Sequence, residues 1–296
     1  MKIVHDQGFT LLEVLISILI IGIISSMTIM SNMNSSKEKA NFANIKSVWG
    51  VNEGKYIEKL IGKWQFDETG TLVLDSSTFG NSGTISGVTR KTEDSCLNGG
   101  CFEFNGTSDF IEIAKVPYTS NWTYSLWINR SADNGTWERL LSYSRSGGSY
   151  DRWFQVQPDD SVNSGFVDST AVSRSVSTDK KIELNKWYYL VATFDGKRVR
   201  LYVNGVLDKM SDDFSTNTPR NSNFSFEIGR LGTSSAWTYS FKGLIDEVSV
   251  YSDVMTLSGV QKDYVAGLDR LLTGRQINSE DYAQSIKEFN NKLAKK

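Results

Sequence analysis

Trp187-Tyr188-Tyr189-Leu190-Val191-Ala192-Thr193-Phe194-Asp195-Gly196 sets the architecture of this chain. Trp187, Tyr189 and Val191 alternate with Tyr188, Leu190 and Ala192, so a strand built from them is apolar on both faces. Such a strand belongs in the middle of a sheet that is covered on both sides. Asp195-Gly196 then supplies the positive φ of a tight hairpin. The return strand, Val199–Val203, runs into a second signal of the same kind, Asn204-Gly205.

The same grammar extends in both directions. Strand candidates are Cys101–Phe104, Asp109–Ala114, Thr123–Arg130, Glu138–Ser144, Arg152–Gln157, Phe224–Ile228 and Lys242–Tyr251. The turn signals Asn105-Gly106, Asn134-Gly135 and Gly147-Gly148 fall between them. At the front, Trp64 and Phe66 alternate with Lys63, Gln65 and Asp67, the pattern of a half-buried strand. Many short strands with turn residues between them, and no helical pattern interposed, predict an antiparallel β-sandwich over 63–252.

Four segments, in order, resemble the laminin G-like or concanavalin A-like jelly-roll family, in its pentraxin-type branch. They are Trp64-Gln65-Phe66-Asp67-Glu68 running to Asp75-Ser76-Ser77; Phe102-Glu103-Phe104-Asn105-Gly106-Thr107-Ser108-Asp109-Phe110-Ile111; the Trp187–Gly196 stretch with Leu201-Tyr202-Val203-Asn204-Gly205; and Gly243-Leu244-Ile245-Asp246-Glu247-Val248-Ser249-Val250-Tyr251. The resemblance implies a lectin-like jelly roll. It also implies a structural calcium ion near aspartates of this kind, with Asp75 and Asp246 as candidate ligands. Strict alternation places Asp246 on the same face as Val248 and Val250, where a carboxylate needs a partner. Loop amides are the alternative to a cation.

Cys96 and Cys101 flank Leu97-Asn98-Gly99-Gly100, a spacer flexible enough to close a small ring. Outside the cytoplasm such a pair oxidises. A loop this short stabilises by about 2 kcal/mol in the chain-entropy treatment. Trp137, Tyr150, Asp151, Arg152, Trp153, Trp237 and Tyr239 lie in or beside loops and mix flat apolar faces with charged groups. That combination suits sugar rings or a protein surface, which makes them the candidate ligand-binding residues, although a sandwich also buries many aromatics.

From Met255 the period changes to that of a helix. Leu257, Val260, Tyr264 and Leu268 recur three or four apart, and after Gly274 a second helix starts with Ser279 as its cap. Tyr282, Ile286, Phe289 and Leu293 form its apolar stripe, with Lys287, Lys292, Lys295 and Lys296 toward its C-terminus. Residues 253–296 are thus expected to form a helical tail that covers the head or a neighbouring subunit.

At the other end, Phe9 to Met30 carries one ionisable side chain, Glu13. As a helix the run is about 33 Å long, enough for a bilayer core of about 30 Å. Its Leu, Ile, Val and Phe side chains outweigh one acid. Phe42, Ile45, Tyr56, Ile57 and Leu60 continue at roughly helical spacing, so a long helix is expected over 9–62, membrane-embedded in its first half. A short polar leader (1–8) ending in Gly8, then Phe9-Thr10-Leu11-Leu12-Glu13, closely resembles the type IV prepilin family. That resemblance implies cleavage by a prepilin peptidase between Gly8 and Phe9, methylation of the new amine, and polymerisation with other pilin subunits. Glu13 then pairs with the Phe9 ammonium, in its own chain or in a neighbour. Asp6-Gln7 stand where such leaders often carry Lys or Arg.

Composition narrows the functions available. The formal net charge is −2 and basic residues are scattered, which argues against nucleic-acid binding. The single histidine, His5, lies in the leader, so the processed chain has no imidazole for a catalytic triad or a His-based zinc site. The carboxylate spacing of the jelly-roll glucanases is absent, and no enzymatic activity is expected. The whole reads as an α+β chain: a membrane helix, a lectin-like sandwich and a short helical tail. Its expected role is a pilin-like subunit, inserted in the cytoplasmic membrane before assembly and on the cell surface after it, with an extracytoplasmic head for glycan-mediated adhesion. The alternatives are a minor pseudopilin of a secretion or DNA-uptake system and a membrane-tethered carbohydrate-active protein.

Overall fold

The computed structural model describes residues 59–294, apart from 98, 115, 146–148, 222 and 232–238. Gly8, Phe9, Glu13, Trp237 and nearly all of the expected long helix lie outside the described residues. Where the expected helix and the described chain overlap, at 59–62, Lys59 lies in a turn and the chain from Leu60 is already a strand. Ile61 and Trp64 are buried there, and the ladder from Leu60↔Tyr251 to Trp64↔Val248 overrides the local helical spacing. Among the described residues no helix is long and apolar enough to cross a membrane.

Sixteen described strands follow one another: β1 (Leu60–Trp64), β2 (Leu72–Val73), β3 (Gly83–Ser86), β4 (Thr89–Lys91), β5 (Cys101–Asn105), β6 (Phe110–Ile113), β7 (Trp122–Arg130) and β8 (Glu138–Arg145), then β9 (Ser149–Val156), β10 (Ser161–Val167), β11 (Ser173–Lys181), β12 (Trp187–Phe194), β13 (Val199–Val203), β14 (Val206–Met210), β15 (Ser225–Ile228) and β16 (Lys242–Tyr251). Helices α1 (Leu257–Thr273) and α2 (Ser279–Leu293) close the described chain. The first sheet has the order β14-β13-β12-β7-β16-β5-β4, with β1 also on β16; the second has the order β11-β10-β9-β8-β15-β6-β3-β2.

β12 is central, as its two apolar faces require. It pairs with β7 from Trp187↔Asn129 to Phe194↔Trp122 and with β13 on its other side. Tyr188, Leu190, Ala192 and Phe194 enter the core between the sheets, where Trp122, Phe166 and Phe194 meet with centroids 4.4 to 5.8 Å apart. Asn204 and Gly205 both have positive φ (52° and 77°), the geometry that a two-residue hairpin needs. The strand after that turn, β14, was not among the sequence candidates, and neither were β10 and β11. Ser161–Val167 and Ser173–Lys181 are rich in Ser, Asn and Thr; neighbouring strands bury β10 despite its polarity, whereas β11 is a largely exposed edge strand.

The other face of β12 is covered by the tail, which packs on the chain's own first sheet. Tyr189, Trp127 and Tyr264 stack in series, with centroids 5.3 and 5.9 Å apart, and Tyr264 meets Phe289 of α2 at 5.5 Å. Thr256 caps α1 by accepting from Gly259 N. Asn278, rather than Ser279, caps α2, because its Oδ1 accepts from both Glu280 N and Asp281 N.

Candidate functional site

Asp75 and Asp246, the candidate calcium ligands, meet different partners. Asp75 Oδ1 accepts from Lys63 N and Ser77 N, both at 2.8 Å, while Oδ2 accepts from Ser77 Oγ (2.8 Å) and Asn81 N (2.7 Å). The carboxylate is thus satisfied by loop amides and a hydroxyl, the alternative to a cation. Asp246 does not share a face with Val248 and Val250. A bulge with Glu247 at φ 50° breaks the alternation, leaving Asp246 opposite Trp127 while Val248 and Val250 enter the core. Its Oδ2 accepts from Leu97 N at 2.9 Å, its Oδ1 from Glu247 N at 2.7 Å. Burial, and then the charge of Glu247, pushes its carboxyl well above the ordinary carboxylate range. Among the described residues no group of three or more His, Cys, Asp or Glu side chains could hold a metal ion. The Leu97 amide belongs to the ring closed by the Cys96–Cys101 disulfide, so that ring and the β16 bulge stabilise each other.

The seven aromatic and charged candidates separate into distinct environments. Arg152 points into the sandwich, 1 % exposed, with its Cζ 3.4 Å from the Tyr118 ring centroid and 3.9 Å from that of Trp122. It is a core cation held between rings, with Nη2 donating to Thr119 O. Asp151 is buried and accepts from Arg220 Nε at 2.7 Å. Trp137 is half-buried in the turn before β8, and Trp237 lies outside the described residues.

Tyr150, Trp153 and Tyr239 come together, and the group they surround is Arg139, which the sequence reading passed over. Arg139 sits at the start of β8 opposite Gln155 of β9, and its N–H donates to Tyr239 O, which draws the segment before β16 alongside. Its Cζ lies 4.9 Å from the Tyr150 ring centroid, 5.8 Å from that of Trp153 and 5.9 Å from that of Tyr239. Tyr150 and Trp153 meet edge to face at 5.3 Å.

The polar frame of this cluster runs across four strands. Arg139, Gln155, Asn163 and Ser177 form one cross-strand row through β8, β9, β10 and β11. Asn163 Oδ1 accepts from Trp153 Nε1 (2.6 Å) and Gln155 Nε2 (3.1 Å), and its Nδ2 donates to Val176 O and Ser177 Oγ. The Trp153 indole is therefore fixed in place. Arg139 is only 3 % exposed, and its Nε and Nη1 have no hydrogen-bond partner among the described residues; Gln155 Oε1 has none either. Burial pulls the guanidinium down to about 10, against the opposing pull of the Tyr150 and Tyr239 oxygens. Tyr150 and Tyr239 are half-buried and give the cluster its accessible edge. Flat rings beside unsatisfied donors and acceptors are the chemistry of saccharide recognition.

A concavity of about 440 Å³ lies between the tail and the end of β12, lined by Lys180, Glu183, Trp187, Tyr188, Gln284 and Glu288 among others. None of the sequence candidates falls in it.

A two-sheet antiparallel sandwich with a cross-sheet aromatic core defines a lectin-like jelly roll. Residues 105–261 match the model of the concanavalin A-like lectin/glucanases superfamily, and the chain belongs to that family. Residues 4–29 match the prokaryotic N-terminal methylation motif, so the same chain carries a prepilin-type N-terminus. Among solved structures, the receptor-binding domain of botulinum neurotoxin type G is similar at 16% identity and a TM-score of 0.55, covering 70% of this chain and 51% of that one. The ligand-binding domain of botulinum neurotoxin serotype D, in complex with N-acetylneuraminic acid, is similar at 12% identity and 0.58, covering 73% and 52%. The binding domain of Paraclostridial Mosquitocidal Protein 1 gives 15% and 0.57, covering 72% and 53%. At these identities the likeness is one of fold, and this chain spans about half the length of each. No curated protein matches the chain.

Proposed function

We propose that this chain is a pilin-like subunit whose sandwich binds glycans at the Arg139 cluster. The observation that carries the reading is a buried arginine among Tyr150, Trp153 and Tyr239, with two donors unpaired, in the same chain as a prepilin methylation motif. Processing falls between Gly8 and Phe9. The new Phe9 ammonium pairs with Glu13 of a neighbouring subunit, because a carboxylate in hydrocarbon is costly unless compensated. The head then lies outside the cell and serves surface adhesion. Partners are other pilin subunits, the prepilin peptidase, the membrane and a cell-surface glycan.

Binding is favoured over catalysis because the carboxylates on the strands around Arg139 are engaged by arginines: Glu138 by Arg130, Asp151 by Arg220 and Glu227 by Arg230. The test is to apply the full chain, solubilised in detergent, to immobilised glycans, beside Trp153→Ala and Tyr239→Ala. Retention of the parent chain, lost in both variants, is expected. Failure to retain it on any glycan, or retention unchanged in both variants, overturns the reading.

A further inference from the structure

We infer that Arg139 reads a carboxylate, so that the saccharides taken by this head are acidic ones, bearing uronic or sialic acid residues. The inference rests on the reading of the Arg139 cluster as a glycan site and names the ligand class.

Three observations converge on it. Arg139 is buried and carries a full positive charge at neutral pH, yet the salt bridges of the described residues leave it without a carboxylate. The neighbouring acids are committed elsewhere. Glu138, next in sequence, faces Arg130 with N···O 2.7 Å and is itself fully buried. Asp151 holds Arg220 at 2.7 Å, and Glu227 lies 3.5 Å from Arg230 and accepts from Ser144 Oγ. A desolvated cation without a counter-ion is unfavourable, and an incoming anion recovers that cost. Arg152, also buried and without a carboxylate among the described residues, is instead held against the Tyr118 and Trp122 rings at 3.4 and 3.9 Å. Arg130, similarly buried, has Glu138, Asp133 and Asp160 around it.

The second observation is geometric. The unpaired Nε and Nη1 donate toward different sides of one planar guanidinium, and each lacks an oxygen acceptor among the described residues. The third is the surroundings. Tyr150 and Tyr239 offer flat apolar faces at the accessible edge, and Gln155 Oε1 is a further buried polar atom without a partner among the described residues, across the strand from the cation. Rings that hold a pyranose and a cation that holds its carboxylate are both needed for an acidic sugar. A neutral sugar would leave the cation uncompensated. The geometry points away from an acidic peptide, for which the three rings would have no use.

Calorimetric titration of the full chain in detergent separates the outcomes, using oligogalacturonate against its methyl ester and sialyllactose against lactose. At least one acidic probe should bind tenfold or more tightly than its neutral counterpart. That gap should close in Arg139→Gln, should persist in part in Arg139→Lys, and should narrow as salt rises. Equal binding of acid and ester, or a gap that persists in folded Arg139→Gln, overturns the carboxylate assignment while leaving the glycan site standing. Polyglutamate bound as tightly as the sugars overturns it in favour of an acidic peptide. If no saccharide binds, the glycan reading itself has failed. The acid-to-ester comparison is made on the parent chain, so it decides the matter even where Arg139→Gln does not fold.

Discussion

Gly267 of α1 lies directly on the indole of Trp127, so closely that a Cβ there would sit 2.1 Å from Cζ2. A mid-helix glycine costs about 1 kcal/mol relative to alanine, and here the helix tolerates it because nothing larger fits. The tail is thereby seated on the outer face of β7 and β12, continuing the Tyr189–Trp127–Tyr264 stack. Gly267→Ala should destabilise the head by about 1 to 3 kcal/mol despite its higher helix propensity. A thermal melt with a higher midpoint would mean that α1 does not rest on Trp127.

Asp263, on the buried side of α1, makes the packing of the tail sensitive to pH. The Tyr189 hydroxyl donates to its Oδ2 at 3.3 Å, and Lys63, Arg270, Glu247, Ser249 and Tyr251 line the same small cavity. Burial pushes its carboxyl up to about 6, against the pull of the Tyr189 hydrogen bond and of Lys63, Lys262 and Arg270. A raised carboxyl penalises the folded state when it is charged. The penalty is therefore full above about pH 6 and vanishes as pH falls toward the ordinary value of 3.8. Asp263→Asn should be more stable than the parent by about 1 to 3 kcal/mol near pH 8, with the difference disappearing by about pH 4. Denaturant titrations at the two pH values check this, and a pH-independent difference would contradict it.

Asp75 holds the turn after β2 by organising four donors around one carboxylate. Asp75→Ala should cost about 1 to 3 kcal/mol, since it leaves amide donors without their acceptor. Neither calcium nor a chelator should move the melting midpoint of the parent chain. A calcium-dependent rise in that midpoint would contradict this and place a cation in the head.

Arg152 and Trp153 are neighbours in sequence with opposite fates, and variants should separate them. Arg152→Gln should lower the melting temperature through loss of its ring contacts with Tyr118 and Trp122, leaving the glycan affinity of the folded protein unchanged. Trp153→Ala should abolish glycan binding. Reversal of the two results would move the site to the interior-facing residues.

These two residues also mark how far the sequence could be read. The central hairpin was legible because Trp187–Phe194 is apolar on both faces and its turns carry Asp-Gly and Asn-Gly. β10 was not, because its polar side chains are buried by what surrounds them, and neither was β11, a polar and largely exposed edge strand. Asp151, Arg152 and Trp153 were grouped by composition, although alternation along a strand already places Arg152 and Trp153 on opposite faces.

Arg139 did leave a signal. It is a charged residue opening the apolar strand Glu138–Ser144, on a face where a cation needs a partner. What no sequence pattern gives is that Glu138 is already taken by Arg130, across 8 positions. Asp246 went astray for a similar reason: strict alternation cannot anticipate a bulge set by the left-handed Glu247.

Immunogold electron microscopy of cells producing the full chain, with an antibody raised against residues 59–294, bears most directly on the central proposal of a binding head carried on an assembling stalk. The predicted result is label distributed along filaments that extend from the cell, and its loss in Glu13→Ala cells that still insert the chain in the membrane. Label confined to the cell envelope in the parent, or filaments formed normally by Glu13→Ala, would contradict it.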